Sequence, residues 1–249
     1  MLIATWNLNN RVGRVRFRPE AADAAIALRA DILVFNEYYP KENGATFSRT
    51  LSDAGWAYQM ISVDTAEIAN LVLIASRIPL QPLDIPLPNF DRQFPSNVLC
   101  ASVPSVGIAI VGIRVPWYDG KEVDLVTTSW DWVESTAVKL SGKPSLILGD
   151  LNVALKSNPR RGGDHFRRIL QTGWHRAVPK DGASFHSEHG QLSEIDHILG
   201  TSSCEFTNAR YITEIDGYRL AGSKDAISDH AALLADVAVR DIAPGSPKD

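Results

Sequence analysis

Ten short runs of branched, apolar residues constrain this chain more than any other feature. They cover residues 2–6, 32–35, 57–61, 70–75, 98–103, 108–115, 145–148, 194–199, 205–212 and 232–239, and their length and β-branched content mark them as strands. Helical patterns interrupt them at 19–29, 46–54, 131–140 and 163–171. The first, PEAADAAIALR, opens with Pro and acids and is rich in Ala, as a helix N-terminus favours. The resulting order, β-α-β-α-ββ-ββ-α-β-α-βββ, joins some strands directly and separates others by helices. Strict βαβ alternation would give one parallel sheet. This mixture predicts an α/β fold of two mixed sheets packed face to face, with helices outside.

A chain of 249 residues can bury a sizeable core. The stretch 79–95 carries five prolines, but strand-like runs on both sides make it a surface loop, so one domain is expected over residues 1–240 with a flexible tail at 241–249. Two cysteines, Cys100 and Cys204, cannot build a disulfide framework and read as free thiols of a reducing compartment. No run reaches the roughly 18 apolar residues of a membrane span. The apolar start is too brief for a signal sequence, and no basic segment precedes it. A cytoplasmic protein without a membrane span is the expectation.

Polar residues stand where strands end. Asn7 closes the first run, Glu37 follows ILVF, Asp150 and Asn152 follow LILG, Asp196 lies inside 194–199, and Asp229-His230 precedes the last run. Carboxylate and amide oxygens suit a hard cation such as Mg²⁺ or Mn²⁺, and the lack of Cys/His ligand spacing argues against zinc. A cation and an imidazolium offset the charge built up in attack on a phosphodiester, while a carboxylate handles the nucleophile's proton.

The segments TWNLN (5–9), DILVFNE (31–37), NLVLIASRIPL (70–80), SGKPSLILGDLNVA (141–154), SEIDHIL (193–199) and SDHAALLADV (228–237) resemble, in order, those of the endonuclease/exonuclease/phosphatase superfamily, which includes exonuclease III-like abasic-site endonucleases. The resemblance spans nearly the whole chain. It implies a four-layer sandwich and a metal-dependent phosphoesterase, and it assigns roles. Glu37 resembles the principal Mg²⁺ (or Mn²⁺) ligand, with Asn7 beside it and Asp229 near the metal. Asp150 resembles the group that orients or deprotonates the attacking water, and Asn152 the one that holds that water or a phosphate oxygen. His230 matches the phosphate-contacting imidazole and Asp196 the carboxylate that orients it. The chain departs from the pattern at Arg114, where Tyr or His is usual and where a guanidinium would clamp a phosphate oxygen. It departs again at Trp117 and Tyr118, one of which stands where abasic-site endonucleases carry Asn, and at Gln191-Leu192-Ser193, which replaces their Gly-Trp-Arg. These departures point away from abasic-site repair and leave phosphoester hydrolysis in place.

The net charge of −4 excludes a surface that grips nucleic acid everywhere, so phosphate binding must be local. Arg11, Arg14, Arg16 and Arg18 follow Asn7, and Lys156, Arg160, Arg161, Arg167 and Arg168 follow Asn152. These basic stretches are expected to ring the site and meet an anionic phosphoester, nucleic acid among the candidates. Of them, Arg11, Arg14, Arg160 and Arg161, with Trp117 for stacking, are the expected substrate contacts. Other residues have plainer readings. His197 adjoins Asp196 and so faces the opposite side of its strand. His186 and His189 sit between Gly182 and Gly190 in an expected exposed loop, and Trp130 and Trp132 are expected in the core. Three functions fit: a divalent-metal-dependent nuclease or phosphodiesterase, a phosphatase or phospholipid or nucleotide phosphodiesterase on the same fold, and a non-catalytic binding member.

Overall fold

The structure, a computed structural model, describes residues 1–13, 17–63, 70–87, 94–117, 123–157, 159–222 and 225–240. The expected tail at 241–249 lies outside the described residues. In chain order the elements are β1 (Leu2–Asn7), α1 (Ala21–Ala27), β2 (Ile32–Tyr38), α2 (Asn43–Asp53), β3 (Tyr58–Ile61), β4 (Leu71–Ser76), β5 (Gln81–Pro82), β6 (Val98–Val103), β7 (Ile108–Arg114), α3 (Val123–Leu140) and β8 (Ser145–Asp150). They continue with α4 (Gly163–Gln171), β9 (Trp174–Arg176), β10 (Phe185–His186), β11 (Leu192–Ser193), β12 (Asp196–Thr201), β13 (Cys204–Ile212), β14 (Glu214–Ile215), β15 (Tyr218–Arg219) and β16 (Ala232–Val239).

Two six-stranded sheets result, in the orders β13-β16-β1-β2-β4-β3 and β5-β6-β7-β8-β12-β9. Each is mixed: β1 runs parallel to β2 and antiparallel to β16, and β7 runs parallel to β8 while its other neighbour, β6, is antiparallel. Three apolar clusters define four layers. Phe35, Leu73 and Trp6 face Phe47 and Leu51 of α2 and the alanines of α1. Val111, Ile113 and Ile147 face Trp130 and Val133 of α3 and Phe166 of α4. Between the sheets, Ile3, Val34, Ile74 and Leu233 meet Leu99, Ile110, Leu148 and Ile198. Gly112 lets the layers close, because a Cβ there would sit 2.9 Å from methyls of both Val34 and Val72. Each such Leu or Ile removed from water contributes about 1.5–3 kcal/mol. The expected arrangement of two face-to-face mixed sheets with helices outside is the observed one.

Period-two alternation places the polar strand ends. The inward series Ile3, Thr5, Asn7 runs along β1, and Ile110, Gly112, Arg114 along β7. Leu146, Leu148, Asp150 runs along β8, and in the reverse sense Ile198 and then Asp196 along β12. Register carries them to one level: Asn7 is opposite Asn36, and Asp150 is opposite both Arg114 and Asp196. Where the apolar filling between the sheets stops, a polar mouth begins.

Some elements differ from expectation. Helix α3 starts at Val123, eight residues before 131, because Leu125, Val126, Ser129 and Trp130 pack inward and their burial overrides the weak helix propensity of the Val and Thr residues there. The three-residue edge strand β9 carries too short a pattern to read. His186 lies in the small hairpin β10–β11 rather than an open loop, though His189 is exposed. Trp130 and Trp132 are buried, and His197 faces the outer core against Phe166, its Nε2 2.7 Å from the Val153 carbonyl.

Candidate active site

Each side chain at the mouth is set by local backbone. Glu37 sits at φ 54°, where the pairing of β2 with β4 slips between Phe35 and Tyr38. Asn152 has φ 50°, and Asn9 and Asn10 have φ 45° and 56° in the turn after β1. Left-handed backbone at non-glycine residues costs energy and persists where surrounding contacts fix it, commonly at functional sites. Gly149 holds φ 143°, and a Cβ there would lie 1.9 Å from the Ile113 carbonyl oxygen and 2.8 Å from Asn36 Oδ1. That absence of a side chain lets Asn36 Oδ1 accept the Asp150 backbone N–H at 2.9 Å.

A continuous network joins eight of the sequence-selected residues. Arg114 Nε donates to Glu37 Oε1 at 2.8 Å, and Asn7 Nδ2 donates to the same oxygen at 3.3 Å and to Asp150 Oδ2 at 2.9 Å. Asn152 gives its backbone N–H to Asp150 Oδ1 at 3.0 Å and Nδ2 to Asp150 Oδ2 at 3.2 Å. On the other side, the Asn9 backbone N–H donates to Asn7 Oδ1 at 2.9 Å and Asn9 Nδ2 to Asp229 Oδ1 at 2.7 Å. Asp229 Oδ1 lies 3.9 Å from His230 Nε2, and His230 Nδ1 is 2.7 Å from Asp196 Oδ2. Asn7 therefore turns its amide N–H groups, not its oxygen, toward the carboxylates, and acts as a bridge between Glu37 and Asp150.

Electrostatics follow from burial. Burial, reinforced by the Asp196 charge, raises the Asp150 carboxyl to about 7, although His230 and Arg114 pull it down. Burial opposes charge on His230, but Asp196, Asp150 and Asp229 outweigh it and raise the imidazole to about 10. His230 is thus an imidazolium at neutral pH. One ligand atom each of Asp150, Asp196 and His230 lies within 4.8 Å of the others. Asp196 Oδ1 is buried without a hydrogen-bond partner among the described residues. A group of carboxylates holding more negative charge than its N–H donors offset fits a hard divalent cation. Oxygens of Asp150 and Asp196, the carboxylates of this group, could take part in holding one; His230, with its Nδ1 on Asp196, already serves as a donor.

The expected substrate contacts divide. Trp117 is exposed, with the Arg161 guanidinium carbon 4.6 Å from its ring centroid. It lies two residues beyond Val115, whose carbonyl accepts Asn152 Nδ2 at 2.8 Å. Arg11 is half-buried in the turn after β1. Arg14, with Arg16 and Tyr118, lies outside the described residues, as does the side chain of Arg160. Arg167 and Arg168 do not ring the site. Arg167 ties the Leu155 and Ser157 carbonyls to α4, and Arg168 forks onto Glu134 of α3, both bonds 2.8 Å.

Sequence reading missed Asn9, Asn10, Asn36 and Ser228. Asn10 Nδ2 donates to Glu37 Oε2 at 2.8 Å, and Ser228 Oγ donates to the Asn7 carbonyl at 2.8 Å while accepting the His230 N–H. The run NLNN, three asparagines in four positions after a buried strand, was the available signal.

A family model described as the Endonuclease/Exonuclease/phosphatase family matches residues 4–230. No curated protein sequence matches the chain. Among solved structures, a 3′ phosphatase NExo from Neisseria bound to product DNA hairpin aligns at TM-score 0.71 and 19% identity, covering 96% of this chain and 99% of that one. An AP endonuclease from Archaeoglobus fulgidus aligns at 0.69 and 20%, covering 96% and 100%. An endonuclease/exonuclease/phosphatase from Beutenbergia cavernae aligns at 0.69 and 18%, covering 96% and 72%. At these identities the structural likeness speaks for the fold alone.

Proposed function

Because the chain belongs to the endonuclease/exonuclease/phosphatase family, we propose that it is a divalent-metal-dependent phosphodiester hydrolase that acts as a nuclease. The observation that carries this reading is the unbroken network from Arg114 through Glu37, Asn7 and Asp150 to Asn152, and from Asn7 through Asn9 and Asp229 to His230 and Asp196. Glu37 and Asp229 would hold Mg²⁺ or Mn²⁺, with Asn7 fixing Glu37 against Asp150. When bound, the cation offsets charge on the phosphoryl and leaving oxygens.

The chain's own residues do the rest. Asp150, whose carboxyl titrates near 7, suits a general base acting on water near neutrality. Asn152 locks both of its oxygens. His230 presents an imidazolium to the phosphate and Asp196 holds that ring, while the Arg114 guanidinium supplies a second cation. Trp117 and Arg161 offer a planar, positively charged surface beside Asn152 for a base.

The test is hydrolysis of bis(4-nitrophenyl) phosphate and of single- and double-stranded DNA and RNA with Mg²⁺ or Mn²⁺. Asp150→Asn and His230→Gln should each lower kcat by about 10²–10⁴-fold. Wild type that is folded and inactive on every substrate with either metal would overturn the reading. The net charge of −4 favours a second substrate class, a small phosphoester or phospholipid headgroup. Steep loss of activity with salt would mark a polyanion, because counterion release scales with the phosphates contacted.

A further inference from the structure

Both oxygens of Glu37 are taken by N–H donors. Oε1 receives Arg114 Nε at 2.8 Å and Asn7 Nδ2 at 3.3 Å, and Oε2 receives Asn10 Nδ2 at 2.8 Å. Arg114 and Glu37 come from opposite sheets, so their ion pair spans the mouth, with the two side chains 19% and 13% exposed. The partners differ in freedom. Glu37 is fixed by its left-handed backbone and by two asparagines, whereas Arg114 touches it through Nε alone and sits at the end of a long, rotatable stem. A part-buried ion pair made through one N–H gains little over its desolvation cost.

A guanidinium N–H and a divalent cation on the one oxygen Oε1 repel each other, so a cation bound there weakens the hold on Arg114. We propose that Arg114 is a latch with two partners: it closes on Glu37 in the arrangement described here, and it swings to the substrate phosphate when a divalent cation takes the carboxylate. This rests on the phosphodiesterase reading and adds a property to it. Phosphate that draws Arg114 away frees Glu37 for the cation, and cation that displaces Arg114 frees a guanidinium for phosphate. Each ligand therefore strengthens the other's binding by the same factor.

Mg²⁺ titrations with and without dimethyl phosphate, a diester anion probe, followed by calorimetry, test the latch on the full chain. Wild type should bind Mg²⁺ about 5–10-fold tighter with dimethyl phosphate present. Arg114→Gln should bind Mg²⁺ about 5-fold tighter than wild type in its absence, and its coupling factor should fall by at least about 3-fold, leaving what direct cation–phosphate attraction supplies. A direct readout comes from ¹⁵N-labelled protein. The arginine Nε–H resonance that Arg114→Lys removes should move as Mg²⁺ saturates the wild type. If that resonance stays fixed at saturating Mg²⁺, or if coupling is equal in wild type and Arg114→Gln, the latch is overturned while the hydrolase reading stands. Wild type that neither binds Mg²⁺ nor cleaves any diester overturns both. Should Arg114→Gln fail to fold, Arg114→Lys and the wild-type resonance still decide the matter.

Discussion

Asp150 is a carboxylate that its surroundings discourage from ionising. Burial comes first, then the Asp196 charge, with His230 and Arg114 working the other way. Removing one of these positive neighbours must raise it further. In Arg114→Gln the acidic limb of the pH–kcat/KM profile should therefore move to higher pH, by about 0.5–1 unit. In wild type with Mg²⁺ that limb should lie at or below pH 7, because the cation adds to the two positive side chains; a variant limb at unchanged pH would refute the assignment of base. Gly149 makes a sharper demand. Its φ of 143° and the 1.9 Å a Cβ would leave to the Ile113 oxygen predict that Gly149→Ala loses at least about 3 kcal/mol in urea denaturation. At this scale the chemistry-bearing acids were legible because charged side chains beside buried strands are out of place. Asn9, Asn10 and Asn36 were not, because an asparagine after a strand reads equally well as a turn. Only its partner distinguishes the two roles. The partner of Arg114 was not legible for a different reason: Glu37 is 77 residues away.

Elements join through pairs that spacing hints at but does not settle. Helices α3 and α4 are clamped by Arg168 on Glu134, with His165 Nδ1 2.7 Å from the same carboxylate. The Arg168 hydrogen bond, with a smaller one from His165, lowers the Glu134 carboxyl to about 2 despite partial burial. A depressed folded-state value means stability that is present above about 4.5 and lost as pH falls through 2. Glu134→Gln should thus cost about 0.5 kcal/mol at pH 7, the scale of a largely solvated pair, and its melting temperature should converge on that of wild type as pH drops from 5 toward 2. A gap that persists at low pH would mean packing rather than charge. The basic residues after Asn152 read as one phosphate-seeking group, but a helix puts neighbours on different faces. Arg168 therefore turns to α3 and Arg167 back to its own loop. Strand cores were legible because short, β-branched apolar runs stand out; the first eight residues of α3 were not, since tertiary burial and not local propensity makes them helical.

The whole molecule is organised by the gap between its sheets, apolar along its length and polar at one mouth. Carboxylates gathered there hold the folded state back until a cation compensates them, so Mg²⁺ at 100 times its dissociation constant should stabilise the fold by about 2.7 kcal/mol and raise the melting temperature by several degrees. Chelator should reverse the shift, and a folded protein whose melting point ignores Mg²⁺ would refute the metal assignment. The order of the first sheet carries a further consequence. Strand β1 lies between β2 and β16, with Leu2 to Thr5 opposite Asp236 to Leu233, so β1 waits for a strand synthesised far later. Until residues 232–239 emerge, β1 shows a bare apolar edge, and His230, just upstream, has no wall to lean on. A nascent chain halted anywhere short of that point should be protease-sensitive and inert, and should depend on chaperones to keep its open flank from sticking to its neighbours.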